Sequence, residues 1–233
     1  MNQIAEHLLQ VKERIVQAAS RAGRSRDHIQ LLAVSKTKPL EAVCEAYAAG
    51  QRRFGESYAQ EAATKIDTLR EQGACADIEW HFIGPLQSNK SKLVAERFDW
   101  VQSVDREKLI ERLNNQRPSG LAPLNVCLQI NISGESSKSG TSEQEIFRLA
   151  ELVSRCERLR LRGLMAIPEH TSDEAVLAAQ MVRMQTLFTE LAQQYPGVDT
   201  LSMGMTEDLE LAIGHGSTMV RVGTAIFGAR DYS

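Results

Sequence analysis

Apolar residues Ile4, Leu8, Val11 and Ile15 recur at helical spacing, so the chain is expected to open with a long amphipathic helix that Gly23 ends. The run 30–35 then carries apolar residues at the consecutive positions 31–34, the pattern of a parallel strand covered on both faces. Pro39 suits a first helical position, and Ala42, Val43, Ala46 and Tyr47 continue that helix. The alternation repeats down the chain. Further strand-like runs fall at 52–55, 80–84, 100–104, 125–132, 161–167, 200–203 and 218–223, with helical stretches at 58–72, 89–97, 106–115, 143–156, 173–194 and 207–213. Two helices carry capping-box signals, Ser142 with Glu145 and Thr171 with Glu174, in which each side chain satisfies the other residue's free amide.

Strict alternation of strand and helix argues for a parallel sheet with helical crossovers. Eight such strands within 233 residues, with no linker-like segment between them, predict an α/β fold: a (β/α)8 TIM barrel with an extra N-terminal helix, one domain over 1–233. An open doubly wound sheet is the competing arrangement. No internal repeat or low-complexity stretch points elsewhere.

Composition narrows the function classes. A formal net charge of -3 and an aromatic content of 5% do not fit a nucleic-acid binder. No basic segment leads into an apolar stretch at the N-terminus, and no apolar run approaches a membrane span. The four cysteines, Cys44, Cys75, Cys127 and Cys156, form no Cys-x-x-Cys pair, so they are expected to be reduced thiols of a cytoplasmic protein. His7, His28, His81, His170 and His215 show no metal-ligand spacing, and no metal site is expected.

The chemistry gathers at strand ends, where a barrel of this kind keeps its active site. Lys36 closes the first strand; Ser202, Gly204 and Met205 close the seventh; Gly223 and Thr224 close the eighth. An amine at the first strand and small, hydroxyl-bearing residues at the last two suit a phosphorylated aldehyde held as a Schiff base. Attack by Lys36 needs a neutral amine, which partial burial favours. Arg221 interrupts Met219-Val220-Arg221-Val222; inside a barrel its guanidinium needs an acceptor, either a ring nitrogen of a heteroaromatic ligand or a structural carboxylate. A helix starting near Thr206-Glu207 would also aim its amides at an anion. Glu207, Asp208 and Glu210 are expected to serve that helix's dipole, and Met181, Met184, Leu187 and Phe188 to pack in the core.

These segments resemble a known family over essentially the whole chain. Its marks are residues 32–38 (Leu-Ala-Val-Ser-Lys-Thr-Lys), 54–56 (Phe-Gly-Glu), 80–90 (Trp-His-Phe-Ile-Gly-Pro-Leu-Gln-Ser-Asn-Lys), 163–167 (Gly-Leu-Met-Ala-Ile), 201–205 (Leu-Ser-Met-Gly-Met) and 222–228 (Val-Gly-Thr-Ala-Ile-Phe-Gly). The sequence is similar to the pyridoxal phosphate homeostasis (YggS/PROSC-type) proteins. The resemblance implies a barrel like the N-terminal domain of alanine racemase, binding pyridoxal 5'-phosphate (PLP). It makes Lys36 the Schiff-base lysine and sets Arg221 against the pyridine nitrogen. It assigns Ser202, Gly223 and Thr224 to the phosphate with the Gly204 and Met205 backbone close by, and turns Asn131 and His81 towards the same mouth. Two positions depart from the family pattern: Ser57 stands where Asn is expected, and Thr206-Glu207-Asp208-Leu209 where Ser-x-Asp-Met is expected.

A PLP racemase also needs a second acid or base across the ring, which alanine racemase takes from a further domain of a partner subunit. This chain reaches Ser233 soon after Gly223, and an arginine at the ring nitrogen weakens the cofactor as an electron sink. The expected role is therefore a monomeric PLP carrier that buffers the cofactor or delivers it to PLP-dependent apoenzymes, with little or no catalysis. A small amino-acid racemase or other enzyme of that fold is the alternative, and a Schiff-base aldolase of phosphorylated sugars a third. Lys138, in the run 136–140, is a candidate second amine for cofactor transfer; a solvated loop lysine is the equal alternative.

Overall fold

The structure, a computed structural model, describes residues 3–135, 139–169, 171 and 173–229. Strands β1 (Gln30–Val34), β2 (Arg53–Glu56), β3 (Glu79–Phe82), β4 (Trp100–Val104), β5 (Leu124–Ile130), β6 (Leu159–Ala166), β7 (Thr200–Ser202) and β8 (Met219–Val222) all pair in parallel in chain order. Leu31 pairs with Val220 and Leu32 with Arg221, which closes β8 onto β1 and excludes the open sheet.

Helices α1 (Gln3–Arg21), α2 (Leu40–Ala48), α3 (Ala59–Glu71), α4 (Ser91–Arg97), α5 (Glu107–Gln116), α6 (Ile146–Ser154), α7 (Glu174–Gln194), α8 (Leu209–Gly214) and α9 (Thr224–Phe227) ring the barrel. The helix after β8 has only 4 residues, too few to cover its strand. The 19-residue α1 fills the gap, burying Leu8, Val11 and Ile15 while packing on α2, α8 and α9. The N-terminal helix thus takes the ring position that the last crossover leaves open. Met181, Met184 and Leu187 are buried in the outer core, and Phe188 packs against it. No helix among the described residues is long and apolar enough to cross a membrane.

Several local expectations shift. Pro39 is the N-cap of α2, one residue before the first helical position. Ser142 makes no side-chain cap bond, because a 3-10 turn over Glu143–Glu145 precedes α6. Asp173 caps α7, its carboxylate accepting from the Ala175 and Val176 amides at 2.9 and 3.3 Å, while the Thr171 hydroxyl accepts from the Asp173 amide. Asp outcompetes Thr because an ionised oxygen next to the helix start takes both amides. Helix α8 begins at Leu209, not near Thr206, and Glu210 is bound to Arg14 at 2.8 Å.

The strand end at Lys36 is held by a network outside the barrel wall. Ser35 points outward, donates from its hydroxyl to Glu56 at 2.7 Å, and has its carbonyl bound by the Lys65 ammonium at 2.9 Å. Lys65, on α3, also reaches Glu56 at 2.9 Å and Glu61 at 2.6 Å. Glu61 in turn accepts from the Thr37 amide at 2.8 Å. Thr37 has φ 63°, a conformation that a β-branched residue adopts only when its surroundings impose it. Lys36 is therefore fixed on both sides by one buried lysine and two carboxylates. Burial pushes the Glu56 carboxyl above its ordinary value, although Lys65 and Ser35 pull it back.

Replacing the centre of this network, Lys65→Met, leaves Glu56 buried without its cation. The expected cost is about 3–5 kcal/mol of stability, read by urea denaturation; a loss under about 1 kcal/mol would show that the network holds nothing in place.

Candidate functional site

The C-terminal ends of β1, β7 and β8 open into a cavity of about 1160 Å³. Lys36, Arg221, Gly223, Thr224, Met205 and Thr206 are on its wall, with Val34, Ser57, Ile83 and Ile167 supplying apolar and small surface. Five of the nine residues singled out from sequence, Lys36, Met205, Arg221, Gly223 and Thr224, thus converge there.

The backbone explains part of this convergence. Gly204 has φ 92°, and a Cβ there would lie 2.5 Å from that of Ala212. A side chain at this position would push α8 off the barrel, so the glycine serves packing beneath the site. Its carbonyl accepts from the Arg221 amide at 2.9 Å. The Met205 amide is already engaged by Asp208 Oδ1 at 2.5 Å, a turn that uses the donor expected for an anion. Asn131 turns its side-chain amide to the Glu135 carbonyl at 2.8 Å, within its own loop, and is not on the cavity wall. Lys138 lies outside the described residues.

Arg221 carries the main electrostatic feature. It is buried, and its Nη1 donates to Ser202 Oγ and its Nη2 to the Ala166 carbonyl, both at 2.8 Å. Among the described residues no carboxylate is within ion-pair distance of it, although Asp208 favours its charged form from further off. Burial holds its pKa down to about 10, still charged at neutral pH. A buried cation whose protein partners are one hydroxyl and one carbonyl has donors left for the cavity.

Behind Arg221 a hydrogen-bonded chain runs through the barrel interior. The Ser202 hydroxyl donates to Gln102 Oε1 at 2.6 Å; Gln102 Nε2 meets His81 Nδ1 at 2.9 Å; His81 Nε2 meets Glu79 Oε1 at 3.0 Å. Glu79 also pairs with Arg53 at 3.0 Å, at the opposite end of the barrel from Lys36. The direction of every bond follows from the ends. Guanidinium only donates, so Ser202 accepts from it and sends its proton to Gln102; the Gln102 amide nitrogen then faces His81, whose Nδ1 must accept; the Nε2 proton is left for the carboxylate. All four bonds polarise in one sense, from cation to anion.

His81 is therefore not at the mouth, as expected from sequence, but buried deep in the barrel and stacked on Trp100 at 4.9 Å between ring centroids. Burial pushes its pKa down, against the pull of Glu79. Burial would raise Glu79, but the His81 ring N–H and the Arg53 guanidinium outweigh it and hold the carboxylate below its usual range. Ser202 likewise lies beneath the cavity wall, bound to Arg221 and Gln102. Gln102 and Glu79 went unnoticed in the sequence. Gln102 interrupts the Trp-Val-Gln-Ser-Val strand as Arg221 interrupts its own, and the same reasoning about interior polar residues applies to both.

Comparison with known proteins places this arrangement. Residues 7–231 match the family model of the alanine racemase N-terminal domain. The pyridoxal phosphate homeostasis protein of Escherichia coli (strain K12) is 57% identical over 233 residues, covering 100% of this chain and 99% of the relative. That of Vibrio alginolyticus is 54% identical over the full length of both. The chain belongs to the pyridoxal phosphate homeostasis family. Among solved structures, PipY of Synechococcus elongatus PCC7942 with PLP bound is 37% identical, with a TM-score of 0.80 over 97% of this chain and 100% of that one. Alanine racemase from E. faecalis, at 16% identity and a TM-score of 0.72, shares the fold over 98% of this chain but only 59% of its own length.

The interior chain makes a direct prediction. His81 is neutral with the proton on Nε2 at neutral pH, and ring-nitrogen NMR is expected to show that tautomer there, with protonation only below the ordinary histidine range. Because its folded pKa is depressed, the unfolded chain takes up the proton first as pH falls, so His81 supports the fold fully above about pH 6.5 and less below it. Titration of the folded ring at or above its ordinary pKa would contradict the assigned direction.

Proposed function

We propose that this barrel binds PLP and works in PLP homeostasis, as a buffer or delivery protein rather than as a catalyst. The observation that carries the reading is the buried Arg221, with no ion-pair partner among the described residues, facing the same cavity as Lys36. The donor set fits the cofactor: an amine for the aldehyde, a fixed cation for the ring nitrogen, and the Thr224 and Thr206 hydroxyls with the Gly223 backbone for the phosphate. When bound, PLP supplies an electrophilic aldehyde with which the Lys36 amine condenses reversibly, releasing water. Ser202 acts through Arg221, whose orientation it fixes. The Met205 amide reaches a phosphate only by giving up Asp208, and Asn131 and His81 support the surroundings without reaching the ligand.

Two considerations favour a carrier over a racemase. A guanidinium donating to the ring nitrogen keeps that nitrogen unprotonated and so limits carbanion stabilisation. The curated relatives, covered over 99–100% of their length, are named for homeostasis. We extend the reading to one barrel domain over 1–233 that is monomeric and cytoplasmic, with PLP-dependent apoenzymes as recipients; light scattering reading one chain per particle tests the first step.

PLP added to the purified protein is expected to give a visible absorption band that borohydride removes, leaving a pyridoxyl adduct on Lys36. Lys36→Ala should lose both. A protein that stays colourless would end the PLP reading, and rapid Lys36-dependent racemisation of amino acids would replace the carrier with the enzyme.

A further inference from the structure

Two of the four free cysteines are carried by elements that pack at one corner of the barrel. Cys44 is on α2 and Cys75 in the turn between α3 and β3, and both are half-buried. The two elements are tied together independently of the thiols. The Tyr47 hydroxyl donates to the Asp77 carboxylate, and Arg52 binds Asp77 at 2.7 Å and the Tyr47 carbonyl at 2.9 Å. The Arg52 guanidinium also lies 3.9 Å above the Tyr47 ring. Tyr47 is one helical turn after Cys44, and Asp77 is two residues after Cys75, so this fastening sets the two cysteines opposite each other. The Cys44 thiol is near enough to raise the Cys75 thiol electrostatically. Cys75 has φ 53°, a left-handed conformation that a non-glycine residue keeps only where its surroundings hold it.

We propose that Cys44 and Cys75 form a dithiol site that closes to an intramolecular disulfide when a hydroperoxide oxidises it. One thiolate attacks the peroxide oxygen, breaking the O–O bond to give a sulfenic acid and an alcohol or water. The second thiol attacks that sulfur and expels water. Two thiols thus lose two electrons and two protons, and the peroxide takes up both. The other cysteines are held differently: Cys127 is sealed inside the barrel with its thiol pushed up to about 12, and Cys156 donates to the Leu152 carbonyl at 3.3 Å. Burial also raises the Cys75 thiol, with Cys44 and Asp77 adding to the effect. Closure is therefore slow at neutral pH and accelerates as the thiolate fraction grows. The crosslink joins α2, which starts just after the Lys36 turn, to the corner beneath β3, and shortens the unfolded chain's reach across that loop.

Treatment of the full chain with hydrogen peroxide, followed by proteolysis without reductant, tests the site. The expected product is a chain lighter by two hydrogens that yields one crosslinked peptide pair carrying Cys44 and Cys75. It forms about tenfold faster per pH unit between pH 7 and 8, melts at a higher temperature, and reverts with dithiothreitol; Cys75→Ser and Cys44→Ser each abolish it. Oxidation that stops at separate sulfenic or sulfinic acids, or a disulfide through Cys127 or Cys156 or between two chains, overturns the proposal. The wild-type peptide map alone decides if either variant fails to fold.

Discussion

A guanidinium buried without an ion-pair partner among the described residues is the constraint on which the rest of the interior depends. Removing Arg221 from water costs several kcal/mol unless its donors are used. The barrel supplies a carbonyl from the end of β6 and a hydroxyl from the end of β7. Because Ser202 must accept from the arginine, its own proton must go elsewhere, and Gln102, His81 and Glu79 pass that requirement from strand to strand. The chain ends on a carboxylate at the far end of the barrel, paired with Arg53. Asp208, on the cavity wall, favours the Arg221 charge without forming an ion pair with it, so the donors that Ser202 and Ala166 leave free stay available to a ligand.

Lys36 is placed by different means. Its side chain faces the cavity, but the groups that fix it lie on the other side of the strand, where Lys65 binds Ser35 and Glu61 binds Thr37. The inner chain sets a donor; the outer network sets the main chain that carries the amine. β8 pairs with β1 at Leu32–Arg221 and Ala33–Val222, so the two systems meet at the seam where the barrel closes. The geometry there brings a charged guanidinium and the Lys36 amine to one cavity, the pairing that the proposed reversible tether for PLP would use.

Much of this was legible in the sequence because it is periodic or local. The eight strands stand out as apolar runs, and Lys36, Thr224 and Gly223 mark strand ends that a closed barrel must bring together. Arg221 announced itself as a charge inside an apolar strand. The supporting groups were not legible, since Gln102, Glu79, Lys65 and Glu61 acquire their roles only from partners on other elements. Thr37 gives no sign in the sequence of its left-handed backbone. The family resemblance points His81 at the mouth and Ser202 at the phosphate; in the structure both side chains are buried in the barrel interior. The caps of α6 and α7 and the starts of α6 and α8 differ from expectation, where a 3-10 turn or a nearby aspartate competes with the expected cap.

In the proposed function Arg221 is held charged and oriented for a ring nitrogen. Affinities of the protein for PLP and for 1-deaza-PLP, in which carbon replaces that nitrogen, test it most directly when measured in the wild type and in Arg221→Met. The account predicts that the wild type discriminates against the deaza analogue by roughly tenfold or more, the worth of a charge-assisted hydrogen bond, and that Arg221→Met binds the two alike. Equal binding of both by the wild type would contradict it.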